Sequence, residues 1–347
     1  MSFSLRIIGM LGLASIFGLL TAASAGADES LAGAATALGP RLTLALPDGQ
    51  VAHLFPTVKL AAQLRSQLKG LSGLSSSSQV TYHGGRIMPA VNIYAIFWVP
   101  PRLQNGTATS MPASYKNVVS AMLSNYAGHS IANINTQYYQ SIAGGKTYHS
   151  GAGSYAGNYV DTAAYPASDC IDAATPGNCI SDKVIKVEIK KVMAIKHWTP
   201  GIDKIFMVFT TAGEGSCVGT DCSYTRFCAY HSAFGTAAAP IIYSNEPYGN
   251  NETCQATDQL PNPGTADSAV TAARHEISEA TSDPLFNGWW DSMTGEETSD
   301  KCNFDYGPLT WDNVNGVNLA NYMWGGNYFL MQREYSVHSQ GCVTEGP

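Results

Sequence analysis

The chain is short of charge. Lys and Arg number 19 and Asp and Glu 26 among 347 residues, 13% in all, and the formal net charge is −7. Nucleic acid needs a basic face to neutralise phosphates, and an anionic membrane surface asks for the same, so this balance argues against both partners. After Gly26 no apolar run approaches the roughly 20 residues that a spanning helix needs. No CxxC pair occurs among the eight cysteines, so a thiolate zinc pattern is missing. No GxSxG elbow is present, so a serine nucleophile lacks its usual setting. Internal repeats are absent as well.

The first residues carry an address. Arg6 is the only charge before Asp28, an apolar stretch runs from Ile7 to Leu20, and Thr21-Ala22-Ala23-Ser24-Ala25-Gly26 is built of small residues. This order predicts a secretory signal peptide over residues 1–25. The mature protein is then expected outside the cytoplasm, extracellular or periplasmic, with no membrane attachment after signal removal. All eight cysteines follow the signal, and an even number in an exported chain points to disulfides. Sequence leaves their connectivity open. The least entangled pairing is Cys170–Cys179, Cys217–Cys222, Cys228–Cys254 and Cys302–Cys342.

Residues 26–79 read as a weakly structured, propeptide-like or disordered arm. It holds a short helix over Val58–Lys69 and ends in a linker with the run Ser75-Ser76-Ser77-Ser78. A single domain is expected over 80–347. Val91 to Val99 is apolar almost throughout, the mark of a strand buried on both faces, and Lys204 to Thr211 reads the same way. Met111–Tyr126 is predicted as a helix. A second is predicted from the Ser181-Asp182 cap to about His197, and a third from about Ala266 to Thr281, with Asp267 as N-cap and Pro284 as stop. Asn135–Gln140, Gly157–Ala164 and Pro240–Ser244 are strand candidates. Cysteine-rich loops are expected between Thr211 and Pro240. Strands alternating with helices predict an α/β fold, a twisted mixed sheet backed by helices in a metallopeptidase-like arrangement, with a disulfide-stabilised irregular C-terminal part.

The chemistry concentrates in Arg274-His275-Glu276-Ile277-Ser278-Glu279-Ala280. His275 and Glu279 are four apart, so on a helix they differ by about 40° in direction and can face one ion. The pattern is that of the zinc helix HExxH with its second histidine replaced by a carboxylate, itself a competent zinc ligand. Glu276 stands where that helix keeps its general base, the group that takes a proton from the attacking water. A third ligand must come from elsewhere, and Asp283, Asp291, Glu296, Glu297 and Asp300 are the candidates downstream. The bland alternative is a polar helix face that binds nothing.

Four separated segments resemble the EXORDIUM, or phosphate-induced, proteins of plants and their bacterial relatives. They are Val80-Thr81-Tyr82-His83-Gly84-Gly85, Val208–Ala212 with Phe227-Cys228-Ala229-Tyr230-His231, the His275–Ala280 helix, and Glu297-Thr298-Ser299-Asp300-Lys301-Cys302. Together they span roughly residues 80 to 342. The resemblance implies a secreted protein with one Zn2+ on a peptidase-like helix, and it favours Glu297 as third ligand beside His275 and Glu279. His83 and His231 fall on family positions; His231 is a candidate oxyanion stabiliser or a packed loop histidine. His53, His129, His149, His197 and His338 carry no partner signal.

The function expected is that of a secreted zinc-dependent hydrolase acting on a peptide or protein. The other class is a non-catalytic extracellular module binding a cell-wall polymer, with Trp289, Trp290, Tyr322, Trp324 and Tyr328 as a stacking surface.

Overall fold

A computed structural model describes residues 42–70, 79–142, 144–258, 260–309, 311–314 and 318–346. The expected signal peptide, the start of the arm and the serine run lie outside these. Seven strands make the main sheet: β1 (Thr43–Ala45), β2 (Val51–Pro56), β3 (Val91–Trp98), β4 (Gly153–Asp161), β5 (Lys204–Phe209), β6 (Phe227–Thr236) and β7 (Ala239–Glu246). Their order is β1-β2-β6-β7-β5-β3-β4. The pairs β7–β5, β5–β3 and β3–β4 are parallel, and β1–β2, β2–β6 and β6–β7 are antiparallel, so the sheet is mixed. The apolar runs of β3 and β5 do sit centrally with both faces covered.

Helices cover both faces. Helix α1 spans Val58–Gly70, α2 Ala113–Tyr126, α3 Asp182–Lys196 and α4 Ala266–Ser282. On one face, Val119, Met122 and Leu123 of α2 and Val270, Ala273 and Ile277 of α4 pack on Ile93, Ala95, Met207, Phe209 and Ile242. On the other, Ile185, Ile189 and Val192 of α3 pack on Ile96, Phe206, Val208 and Tyr243. Each such side chain contributes about 1.5–3 kcal/mol on full burial, which makes these two seams the main source of cohesion. Every residue of α4 is buried, polar ones included. A helix like that cannot owe its burial to an apolar stripe; its polar groups must find partners inside the protein.

The strand candidate Asn135–Gln140 is largely a 3-10 turn, Ile134–Gln137, and three further expectations change. Residues 42–70 are not a loose arm: β2 is an interior strand between β1 and β6, and Ala52, Leu54 and Phe55 are fully buried. The alternation is masked because Ala52, His53, Leu54, Phe55 and Pro56 are all buried, so no polar face marks it as a strand. The segment around Cys228 is not a loop but the ten-residue strand β6, whose Cys, His and Ser residues hide a run of eight buried positions, Phe227 to Phe234. Neither expected helix cap acts as one. The residue before α4 is Thr265, and Asp267 lies inside the first turn, accepting hydrogen bonds from Asn262 N and Nδ2 at 3.0 and 2.8 Å. Ser181 precedes α3 but makes no capping bond, its hydroxyl going to Asp169 at 2.6 Å.

The four disulfides are those of the least entangled pairing. Among the described residues no helix is long and apolar enough to cross a membrane. The disulfides fit an extracellular protein. The C-terminal part is a set of two-stranded ribbons, Tyr322–Trp324 with Asn327–Phe329 and Glu334–Ser336 with Gly341–Val343 among them.

Candidate metal centre

Five segments bring ionisable side chains to one buried point. β2 supplies His53, β6 supplies His231, and α4 supplies His275, Glu276 and Glu279. The loop before Cys302 supplies Glu297, and the short 3-10 turn Asp300–Cys302 supplies Asp300. All seven side chains are at most 3% exposed. Register explains part of the meeting: His53 and His231 are direct partners across β2 and β6. The ring centroids of this pair lie 5.9 Å apart.

Distances fall into two groups. Some are ordinary hydrogen bonds. His53 Nε2 lies 2.6 Å from Asp300 Oδ2 and its Nδ1 lies 2.8 Å from Thr43 Oγ1. His231 Nδ1 lies 3.1 Å from Glu276 Oε2, and His275 Nδ1 lies 3.1 Å from Gln332 Nε2. Others are near approaches that make no hydrogen bond. His275 Nε2 stands 3.1 Å from Glu279 Oε1 and 3.8 Å from Asp300 Oδ1. His231 Nε2 stands 3.7 Å from Glu297 Oε2, and His231 Nδ1 stands 3.7 Å from Glu279 Oε2. His275 Nε2, His231 Nε2, Glu276 Oε1, Glu279 Oε2 and Glu297 Oε2 are all buried without a hydrogen-bond partner. Five stranded atoms in one place would each cost about 1–3 kcal/mol or more. Atoms that surround a common ion stand about 3–4 Å apart and point past one another, which is this pattern.

The electrostatics agree. Burial, reinforced by repulsion among them, pushes Glu276, Glu279 and Glu297 well above the usual carboxylate range. Burial pushes His275 down to about 4 and His231 well below its ordinary value, so both imidazoles are neutral, the form that binds metal. Burial opposes ionisation of the His53–Asp300 pair too. Yet Asp300 and Glu279 raise His53, and His53 holds Asp300 below its ordinary value, so these two form an ion pair. The donor set of imidazole and carboxylate therefore fits a divalent cation. The nitrogens and oxygens of His53, Glu279 and Asp300, and those of His231, Glu276 and Glu279, each gather within 4.8 Å of one another.

The supports are local. Ser299 Oγ lies 3.1 Å from the His275 carbonyl and 2.6 Å from Glu334 Oε2, and Glu334 pairs with the buried Arg274. Phe55 packs on the His275 ring at 4.2 Å. Phe286, partly exposed and at φ 59°, stacks on His231 at 5.0 Å. The Cys302–Cys342 disulfide anchors the turn that follows Glu297.

His231, His275, Glu276, Glu279 and Glu297 meet here as the sequence suggests, but Glu297 enters beside His53 and His231, while the carboxylate that approaches His275 Nε2 after Glu279 is Asp300. Asp283 instead caps a turn, its Oδ1 accepting from Asn287 N and Gly288 N, each at 2.6 Å. Asp291 and Glu296 pair with Lys301. His83 stacks on Trp290 at the surface and takes no part. His53 has no sequence signal: it lies on β2, whose residues 52–56 are all buried and show no alternation. Of the aromatic surface expected for a wall-binding module, Trp289, Tyr322 and Trp324 are buried in the core.

No known family model matches the chain, and no curated protein and no solved structure matches it.

Proposed function

We propose that the protein is a secreted, zinc-dependent hydrolase acting on peptide bonds, with its site at the centre just described. The observation that carries the reading is the set of five buried, unpartnered atoms on His231, His275, Glu276, Glu279 and Glu297. His275 and Glu279 would hold the ion, with Glu297 and Asp300 as the further carboxylates of the set. When bound, a zinc ion acidifies water and polarises a carbonyl. The chain's own residues would do the rest. Glu276 accepts the proton of the attacking water at Oε1, the oxygen left free when Oε2 faces His231 Nδ1. A carboxyl raised by burial is suited to the transfer, since a proton acceptor works best with its pKa near the working pH. His231 fixes the direction of Glu276 and adds positive character as the proton arrives. Gln332 holds the His275 ring from behind, and Ser299 holds its backbone.

The segments that resemble the EXORDIUM proteins contain all five of the residues first picked out, which supports a shared site in that family. Export would place the centre where disulfides persist. The test is Glu276→Gln in the full chain. Hydrolysis of a peptide library should fall by about 10²–10⁴-fold while zinc content holds. Unchanged turnover sinks the role given to Glu276, and a wild-type chain that takes up no zinc at neutral pH sinks the centre.

A further inference from the structure

Four carboxylates, Glu276, Glu279, Glu297 and Asp300, stand together, all buried. Among the described residues no Lys or Arg pairs with any of them. Arg274 is committed to Glu334, and Lys301 to Asp291 and Glu296. His53 is the one side chain near them whose environment favours a positive charge, and it is spent on Asp300. Ligation requires the deprotonated carboxylates. One divalent ion with the His53 charge leaves one negative charge over and two ions leave one positive, so the placement of the donors decides the number.

The donors also divide in space. His275 Nε2, Glu279 Oε1 and Asp300 Oδ1 face one another at 3.1 and 3.8 Å from the imidazole, with His53 on the far side of Asp300. Around the second imidazole, Glu279 Oε2 lies 3.7 Å from His231 Nδ1 and Glu297 Oε2 lies 3.7 Å from His231 Nε2, with Glu276 at 3.1 Å from Nδ1. Glu279 belongs to both sets, one oxygen in each. The two donor triads that gather within 4.8 Å also share Glu279 and nothing else. A carboxylate bridging two cations holds them about 3.5–4 Å apart, the spacing of two-metal hydrolytic sites.

From this division we infer that the centre takes two divalent cations bridged by Glu279: one beside His275 Nε2 and Asp300 Oδ1, the other beside His231 Nδ1 and Glu276 Oε2. Glu276 keeps Oε1 free as proton acceptor. His53 acquires a role that the helix motif alone does not assign: with its ring nitrogens engaged by Asp300 and Thr43, it orients Asp300 rather than ligating. The inference rests on the metal-dependent reading above and adds the second ion.

The experiment is metal analysis of the full chain by mass spectrometry after dialysis against zinc, with His231→Gln and His53→Gln beside the wild type. Two zinc ions per chain are expected in the wild type and one in His231→Gln. One ion in the wild type overturns this inference and leaves the hydrolase reading standing; none overturns both. Should a variant fail to fold, the wild type loaded with Mn2+ decides alone. Paramagnetic resonance should show a spin-coupled pair, and the six-line spectrum of isolated Mn2+ at saturation would refute the bridge.

Discussion

Arg274 is the largest fully buried side chain among the described residues, and its charge is met by Glu334. Replacing Arg274 by Met leaves the Glu334 carboxylate buried with Ser299 as its remaining close partner. Breaking one side of a buried pair costs about 3–5 kcal/mol. For a unit of this length that lowers Tm by about 5–8 °C, taking an unfolding entropy of about 2 cal/mol/K per residue. The double variant Arg274→Met/Glu334→Leu removes both charges. Its penalty should be smaller than that of Arg274→Met alone, because the stranded carboxylate is gone and what is lost is the hydrogen bond to Ser299, about 1–2 kcal/mol. Thermal unfolding in EDTA, with intact disulfides, measures the cycle without a metal contribution. If the double variant costs as much as the two single ones added, Arg274 and Glu334 do not act as a pair and their part in holding Ser299 and the His275 carbonyl is wrong.

Three further outcomes are expected. Glu214 is buried with Gln104 as its partner, and burial pushes it up to about 7 from an ordinary 4.5; the folded state then binds more protons than the unfolded one between those values, so stability falls as pH rises through that window, by up to about 3 kcal/mol. Glu214→Gln should flatten that fall in urea unfolding followed from pH 4.5 to 8, and an unchanged pH slope refutes the assignment. Replacing Cys302 and Cys342 together by Ser opens a link across 40 residues, which should cost roughly 2–5 kcal/mol and weaken zinc affinity, because Glu297 and Asp300 lose their anchor; unaltered zinc titration would separate the loop from the site. Gly153→Ala should disrupt the β3–β4 edge, since a Cβ there would sit 2.0 Å from the Val91 carbonyl oxygen; a full-strength variant by circular dichroism melting would refute that close approach.

What the sequence discloses follows from how each signal is carried. β3 and β5 are legible because parallel central strands are continuous apolar runs, and α4 because His275 and Glu279 keep a helical spacing with a proline beyond. The disulfides follow the least entangled pairing, two of them joining cysteines only nine and five residues apart. β2 and β6 are not, for a shared reason. Both are buried on two faces while carrying polar residues needed at the site, so they show neither alternation nor a purely apolar run. His53 is lost with β2, and His231 is misplaced onto a loop with β6. Glu297 is found through resemblance to other chains, while its actual neighbours follow from a fold that no local pattern encodes.

The centre draws on residues as far apart as His53 and Asp300, separated by 247 positions. No growing or half-folded chain contains it: the His275 helix alone offers two donors, and the strand that closes the set must pair with β6 across most of the sequence. Capture of an ion at this centre would therefore be a late event, after long-range strand pairing is complete. Late capture would move the choice of metal from the ligands to the surroundings, because nitrogen and oxygen donors of this kind rank the first-row ions in the same order everywhere. An ion that outcompetes zinc inside the cell never meets a finished site if the chain folds only after leaving it.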